Sequence, residues 1–512
     1  MASGSSIPQE ILIVGAGVFG LSTALTLLGR QAYDDSRITI IDSAAILPNP
    51  VGSSVDASRI IRADYANLSY AKLAVLAQEY WRDQSSSGWG GEGRYSETGF
   101  VLTGDEGQEA YVRESMHNVQ DLAKAGLPMN LSKIQELKTR DEIRVASKLP
   151  GSSGDTGYAN WNSGWADAGA SVAFAIRKIQ NHPNNRGRLV LKPGHQVARL
   201  QFSETTGQCT GVSCTNGTTF DADLIIFATG AWTPSLINLQ NRALATGQVL
   251  GYIKITEEEQ RYLENTPVVI NFARGTFVIP PQRQELKIAR HGFGYRNPLT
   301  VSHSSTKSNA ERLSKHAVSV PRTDTQIPVE AEKALRDALA ELFPPDLDSA
   351  ALPPGCPKSI CTVSSRPFVN TRLCWYTDTP TGNFLIDWPP LPSSAKSNTS
   401  LFIATGGSGH GFKFFPVLGD YIVDAIEGHL DPEYLDLWTW PRDEQLRKDH
   451  GLGGSLDGSE RAVDSAPDSE GLHAFLECKD GSRGGPRGMI LSEELDKGTA
   501  VAKPEQRVKS ML

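Results

Sequence analysis

Residues 11–15, ILIVG, form an unbroken apolar run, and GVFGLSTALTLLG (17–29) carries apolar residues at helical spacing. The pattern predicts a buried strand over 11–15, a helix over 18–30 and a second strand, ITIID, over 38–42. Helical periodicity returns at 68–83 (LSYAKLAVLAQEYWRD), 107–125, 133–138 and 330–343, and Asp167 stands as the N-cap of a helix over 166–180. Strands are expected at GFVLTG (99–104), 188–192, 197–202, 210–214 and 223–230, and the chain stays strand-rich from about 240 to 300. RLCWYT (372–377) and NFLID (383–387) read as two strands around a turn, with Leu373, Trp375 and Thr377 on one face and Cys374 and Tyr376 on the other. LFIATGG (401–407) and a helix from about 413 to 427 follow.

The order is α/β with β-rich insertions, which predicts two domains. A discontinuous Rossmann-like domain takes 1–85, 155–238 and 360–440; a β-rich substrate domain takes 86–154 and 239–359. Residues 441–512, rich in Gly, Ser, Asp, Glu and Lys, read as a largely disordered polar tail.

Composition narrows the partners. With 39% hydrophobic residues the 512-residue chain has ample material for a core, and its net charge of −8 argues against nucleic acid or an anionic membrane as partner. The stretch 11–29 has no charge and nearly the length of a membrane span, but Gly15, Gly17 and Gly20 divide it into strand and helix. Six cysteines in so long a chain suggest a reducing compartment. Two pairs are spaced C-x4-C without a histidine at zinc spacing, so no metal site is expected.

The chemistry starts at GAGVFG (15–20). Gly15 permits the tight turn, Gly17 lets a pyrophosphate approach the backbone, and Gly20 lets helix and strand pack closely. Asp42 ends the second strand about 20 residues later, where a carboxylate can bind ribose hydroxyls. DLIIFATGAW (223–232) is a strand ending in an Ala-Thr-Gly turn, and FIATGGSGHGFKFFP (402–416) is a strand, a Gly-rich loop and the start of a helix whose positive end would favour a reduced, anionic ring.

Five stretches, in order, carry a resemblance: ILIVGAGVFG, SSVDASRIIRADY (53–65), LKIARHGFG (286–294), RLCWYTDTPTGNFLID and GGSGHGFKF. Over residues 8–440 the chain resembles the family of monomeric sarcosine oxidase with the fructosyl-amino-acid, saccharopine and pipecolate oxidases. The resemblance implies FAD, held covalently by a thioether from Cys374 to the flavin 8α-carbon. Lys287 matches the lysine beside flavin N5 that activates oxygen, His291 a histidine near the substrate, and Arg59 an arginine at the flavin face. Arg62 and Lys413 match the pair that grips a substrate carboxylate, and Tyr376 and His410 match pocket residues. The other FAD contacts implied are Gly15, Gly17, Val18, Phe19, Gly20, Asp42, Ser43, Ser53 and Ser58, then Val197, Gly230, Trp232, Gly409 and Gly411, with His410 and Lys413 touching the cofactor as well.

Taken singly these residues have plainer readings: a buried core cysteine, a solvated edge lysine, surface salt bridges at Arg59 and Arg62, a structural His291 and a core Tyr376. The sequence also departs from the family. Thr381-Gly382-Asn383 replaces a turn that often holds an acid, Ser58 a common threonine, and Arg290 adds a cation between Lys287 and His291 that would alter substrate preference.

The implied activity is oxidation of a secondary amine, an N-substituted or N-methyl amino acid. Hydride leaves the carbon next to nitrogen for flavin N5, an imine forms, and O2 becomes H2O2. Alternatives are trapping of the iminium in an oxidative cyclisation of the kind used in secondary metabolism, a dehydrogenase with another acceptor, and a non-catalytic nucleotide-binding regulator. The enzyme is expected to be a monomer. Ser510, Met511 and Leu512 keep the small-first, Leu-last pattern of a peroxisomal address, so the peroxisome or the cytosol is expected.

Overall fold

The computed structural model describes residues 7–303, 315–323, 326–391, 397–442 and 477–500. Strand Glu10–Val14 lies at the centre of a six-stranded sheet, parallel to Arg37–Ile41 on one side and to Leu224–Phe227 on the other. Leu189–Lys192 closes one edge; Leu401–Thr405 and the antiparallel Leu385–Asp387 close the other. Helix Val18–Gly29 packs against it, and at the turn between them Gly15 has φ +109°, which a side chain rarely adopts. A Cβ on Gly20 would stand 2.0 Å from the Gly15 carbonyl oxygen, so helix and strand meet backbone to backbone. Among the described residues no helix is long and apolar enough to cross a membrane.

An eight-stranded sheet forms the second layer, with Phe368–Asp378, Leu244–Lys254 and Glu285–Arg290 adjacent in that order at one edge. One face of these strands packs on helix Val329–Leu342, through Leu286, Ile288, Leu373 and Trp375. The opposite face, with Tyr252 and Cys374, joins the core of the first domain. The alternation expected across residues 372–377 is therefore present, and Cys374 points at the nucleotide-binding half.

Several elements differ from the sequence pattern. Residues 133–138 are not helical: after a 3-10 turn, Ile134–Leu137 is a strand paired with Thr156–Asn160, and edge pairing outweighs a short helical propensity. Thr156–Asn160 and Phe368–Asp378, expected in the Rossmann-like domain, both belong to the eight-stranded sheet. The two strands flanking residues 379–384 thus lie in different sheets, and the turn crosses between domains. The helix expected from 413 is a 3-10 turn, Gly411–Phe414, then an α-helix, Leu418–Glu427, because Pro416 has no N–H to continue the ladder.

The largest difference is at the C-terminus. Residues 477–500, counted in the polar tail, are placed against the second domain. Gly484 bridges to Gly292, Ile490 to Arg296, and Thr499–Ala500 pairs with Ile327–Pro328. Leu491 is fully buried in the second core, with Met489 and Leu495 beside it. Averaged over the tail, composition hides this apolar cluster. Residues 443–476 and 501–512, the latter with the C-terminal Ser-Met-Leu, lie outside the described residues.

Leu491→Ala should therefore lower stability by about 2–5 kcal/mol, the cost of a large-to-small change in a core. Equilibrium urea unfolding measures it; a change under about 0.5 kcal/mol, the size of an ordinary surface effect, would refute the docking.

Candidate active site

The first strand-to-helix turn builds a cleft. The Ala16 N–H donates to Asp42 Oδ2 at 2.9 Å, and the Val18 N–H to Ser54 Oγ at 3.0 Å. Asp42 Oδ1 accepts from the Ala44 N–H and Asn49 Nδ2, both at 2.9 Å, which leaves Oδ2 an open lone pair facing the cleft. Of the expected contacts, Gly15, Gly17, Asp42, Ser43, Ser53, Val197, Gly230 and Trp232 line it. Val18, Phe19 and Gly20 do not line it. Val18 turns into the core, Phe19 packs edge-on to Phe384 at 5.5 Å, and Gly20 serves helix packing. Asn49 and His195 line the cleft too, and nothing in the sequence pattern marks them.

Beyond this cleft the eight-stranded sheet presents a second group. Lys287 and Tyr252 are directly opposite on neighbouring antiparallel strands, so both side chains leave the same face. Both reach Asp56, a carboxylate with no exposed side-chain surface: Lys287 Nζ at 2.7 Å, the Tyr252 hydroxyl, and also Arg59 Nη1. Lys287 also donates to the Ser58 carbonyl at 2.9 Å. Arg59 Nη2 donates to the Ser53 carbonyl at 2.8 Å and to Cys374 Sγ at 3.2 Å. Arg59, Lys287, Ser58 and Cys374 thus come together around an acid that the sequence reading passed over. Its signal was present: Asp56 stands three residues before Arg59 in a stretch already singled out.

A third group surrounds Arg62. Its guanidinium lies 4.5 Å from the Tyr65 ring centre and between Phe100 and Phe272, at 5.5 and 5.4 Å. Arg62 Nη1 is buried and has no hydrogen-bond partner among the described residues. Lys413 Nζ donates to the Tyr65 hydroxyl at 2.7 Å and to the His410 carbonyl at 3.0 Å. His410 Nε2 stands 2.8 Å from the Gly382 carbonyl, so that nitrogen carries the proton. Gly409 brings this loop onto Tyr376: a Cβ there would stand 2.3 Å from the ring. Gly411 packs under Phe19.

His291 lies between Tyr376, whose hydroxyl is 3.5 Å from Nδ1, and two residues of the C-terminal segment, Ser482 and Arg483. Arg290 does not join it. It follows Lys287 by an odd number of residues, leaves the opposite face, and pairs with Glu330 at 2.6 Å.

Three comparisons bear on this arrangement. Residues 10–425 match the family model described as FAD dependent oxidoreductase, of the DAO type. The chain belongs to this family. An amino acid oxidase of Aspergillus flavus is 32% identical over 488 residues, covering 85% of this oxidoreductase and 98% of the relative. The L-saccharopine oxidase of Schizosaccharomyces pombe is 29% identical over 450 residues, covering 85% and 94%. The solved structure of the fructosamine oxidase Amadoriase II from Aspergillus fumigatus has the same fold, with TM-score 0.72 and 24% identity over 97% of this chain and 98% of that one.

The oxidoreductase's own residues fit FAD. The turn is tight at Gly15, where a Cβ would stand 2.4 Å from the Ala228 carbonyl oxygen, Gly17 leaves bare backbone at the cleft for a pyrophosphate, and Asp42 lines the cleft where a carboxylate can bind a ribose. The electrostatics of the second group follow from burial. Burial alone would raise the Asp56 carboxyl, but Lys287, Arg59 and Arg372 outweigh it and hold it far below its usual range. Burial pulls the Lys287 ammonium down to about 8, against the upward pull of Asp56, with Arg59 adding to the fall. Two cations on one carboxylate leave the group with one net positive charge below that pH.

Removing the Asp56 charge should lower Lys287 further. The visible spectrum of the bound flavin should titrate near pH 8 in the native enzyme, not at all in Lys287→Met, and at lower pH in Asp56→Asn. The sign is fixed: the native pKa is below the unfolded one, so the penalty of the buried charge is present at neutral pH and relieved as pH rises through 8. A flavin spectrum that Asp56→Asn leaves unmoved would contradict this coupling.

Proposed function

We propose that the protein is an FAD-dependent oxidase of a secondary amine, specifically an N-substituted amino acid, with O2 as electron acceptor. The carrying observation is the pair of buried cations, Arg62 with an open guanidinium nitrogen and Lys413 reached through Tyr65, with no carboxylate hydrogen-bonded to either among the described residues. Such a pair suits a carboxylate ligand, which accepts charge-assisted hydrogen bonds from both. The names of its relatives, amino acid oxidase, L-saccharopine oxidase and monomeric sarcosine oxidase, support an amine of the amino-acid class.

FAD, when bound, supplies a two-electron acceptor that passes its electrons to O2 as H2O2. The chain does the rest. Arg62 and Lys413 hold the substrate carboxylate, and the Tyr65, Phe100 and Phe272 rings keep water from it. Burial first, then Arg62, drive the Lys413 ammonium well below its usual range, with Asp64 opposing, so an incoming carboxylate favours the charged lysine. Lys287 and Arg59 fix positive charge where oxygen takes up electrons, which stabilises the anionic species formed there. Cys374, buried beside Arg59, would hold the flavin through Sγ, and Tyr376, two residues on, leaves the same face of the strand.

A panel of sarcosine, L-pipecolate, L-saccharopine, fructosyl amino acids and N-methylated aromatic amino acids tests the reading. At least one should bleach the flavin anaerobically and give one peroxide per turnover in air; bleaching without peroxide would mean another acceptor. Arg62→Gln should raise KM for that amine about 10- to 100-fold, the loss of a charge-assisted hydrogen bond.

Acid-precipitated protein should stay yellow, and Cys374→Ser should release the colour. Native protein that loses its flavin to acid would refute the thioether.

A further inference from the structure

We propose that residues 480–483 of the C-terminal segment set the tautomer of His291 and so position it for amine oxidation; the catalytic part rests on the oxidase reading above. Ser482 has one hydroxyl hydrogen, and its Oγ lies 2.8 Å from each carboxylate oxygen of Asp480, which can only accept. That hydrogen is committed to Asp480. Towards His291 Nε2, 3.2 Å away, Ser482 Oγ is therefore an acceptor, and Nε2 carries the ring proton. The other side of the ring gives the same answer independently. Arg483 Nη1, which can only donate, stands 3.3 Å from Nδ1, so Nδ1 presents its lone pair.

The arginine cannot drift from this position. Its Nη2 is held by Asp378 Oδ1 at 2.6 Å and by the Ser408 carbonyl at 2.8 Å, and its side chain is 1% exposed. Asp378 in turn shares its strand and face with Cys374 and Tyr376, so the C-terminal segment is tied to the same strand as the flavin anchor. The charged and titratable groups facing His291 are Arg483 from the C-terminal segment, Tyr376 from the strand, Arg62, and His410 and Lys413 from the glycine-rich loop, with Asp480 and Asp378 one step behind on Ser482 and Arg483. Burial, then Arg483, Arg62, His410 and Lys413, hold the ring well below its usual range and uncharged. A neutral His291 that accepts at Nδ1, where Arg483 donates, adds no further cation beside Arg62 and Lys413. Asp480, Ser482 and Arg483 are thus positioning residues, acting on the substrate through His291. If Asp480 could not accept, Ser482 would be free to donate to Nε2, and a proton moved to Nδ1 would face the N–H of Arg483, donor against donor.

The test uses the full-length holoenzyme and whichever amine of the panel bleaches it fastest. Ser482→Ala and Asp480→Ala should slow anaerobic flavin reduction about tenfold and change its pH profile, because a mispositioned group near the reacting atoms costs rates of that order. Asp480→Asn, whose amide oxygen still accepts from Ser482, should keep the native profile. Flavin content in each variant controls for folding. A Ser482→Ala enzyme with native rate and pH profile, or an Asp480→Asn enzyme as slow as Asp480→Ala, overturns the proposal. The nitrogen-15 shifts of the His291 ring, assigned with His291→Gln, read the tautomer without any substrate: a proton on Nε2 supports it and a proton on Nδ1 overturns it. If no amine bleaches the native flavin, the oxidase reading fails while the tautomer assignment still stands or falls on those shifts.

Discussion

Asp56 is a carboxylate removed from water, and three side chains from separate places in the chain converge on it. Arg59 comes from the same loop, Lys287 and Tyr252 from two strands of the other sheet. A buried charge left alone would cost several kcal/mol, and removing one partner of such a pair typically costs about 3–5 kcal/mol. The loop that follows the dinucleotide turn is thereby pinned to the strands that carry Lys287 and Cys374. The cofactor cleft and the reaction chamber keep a fixed geometry through this one group. Lys287 and Arg59 leave a residual positive charge on the same atoms that tie the loop to the sheet.

The sheets explain why the remaining side chains point as they do. Strand alternation sends Cys374, Tyr376, Tyr252 and Lys287 to one face and Leu373, Trp375, Ile288 and Arg290 to the other. Arg290 is thus removed from the chamber by parity alone and is used to fasten helix Val329–Leu342 through Glu330. The opposite layer contributes Arg62, Lys413 and His410, and the aromatic rings among them leave little water to screen the cations. The C-terminal segment packs against the same strands, with Arg483 bound to Asp378 and Ser482 set against His291.

Much of this was legible along the chain. The glycine spacing and Asp42 define the cleft because a dinucleotide requires a tight turn, a close backbone and a carboxylate at set distances in sequence. The face shared by Cys374 and Tyr376 follows from period two. Less legible were contacts between distant segments. The nearby Arg59 hints at a surface ion pair, but the burial of Asp56 is set by Tyr252 and Lys287, the latter 231 positions away, which no local pattern shows. Helix propensity misread residues 133–138 because an edge pairing with Thr156–Asn160 overrode it.

What the sequence alone determined is the set of local devices: the strand, turn and helix of the cleft, the alternation of residues 372–377, and a glycine-rich loop carrying His410 and Lys413. These depend on neighbours within a turn of helix or a few residues of strand, so short-range sterics and periodicity specify them. The tertiary structure alone decided which charges meet. It placed Asp56 between Lys287 and Arg59, turned Arg290 away, and brought Ser482 and Arg483 from a segment of polar composition against a buried histidine. Pairing of buried charges depends on the three-dimensional approach of remote segments, and no pattern along the chain encodes that distance.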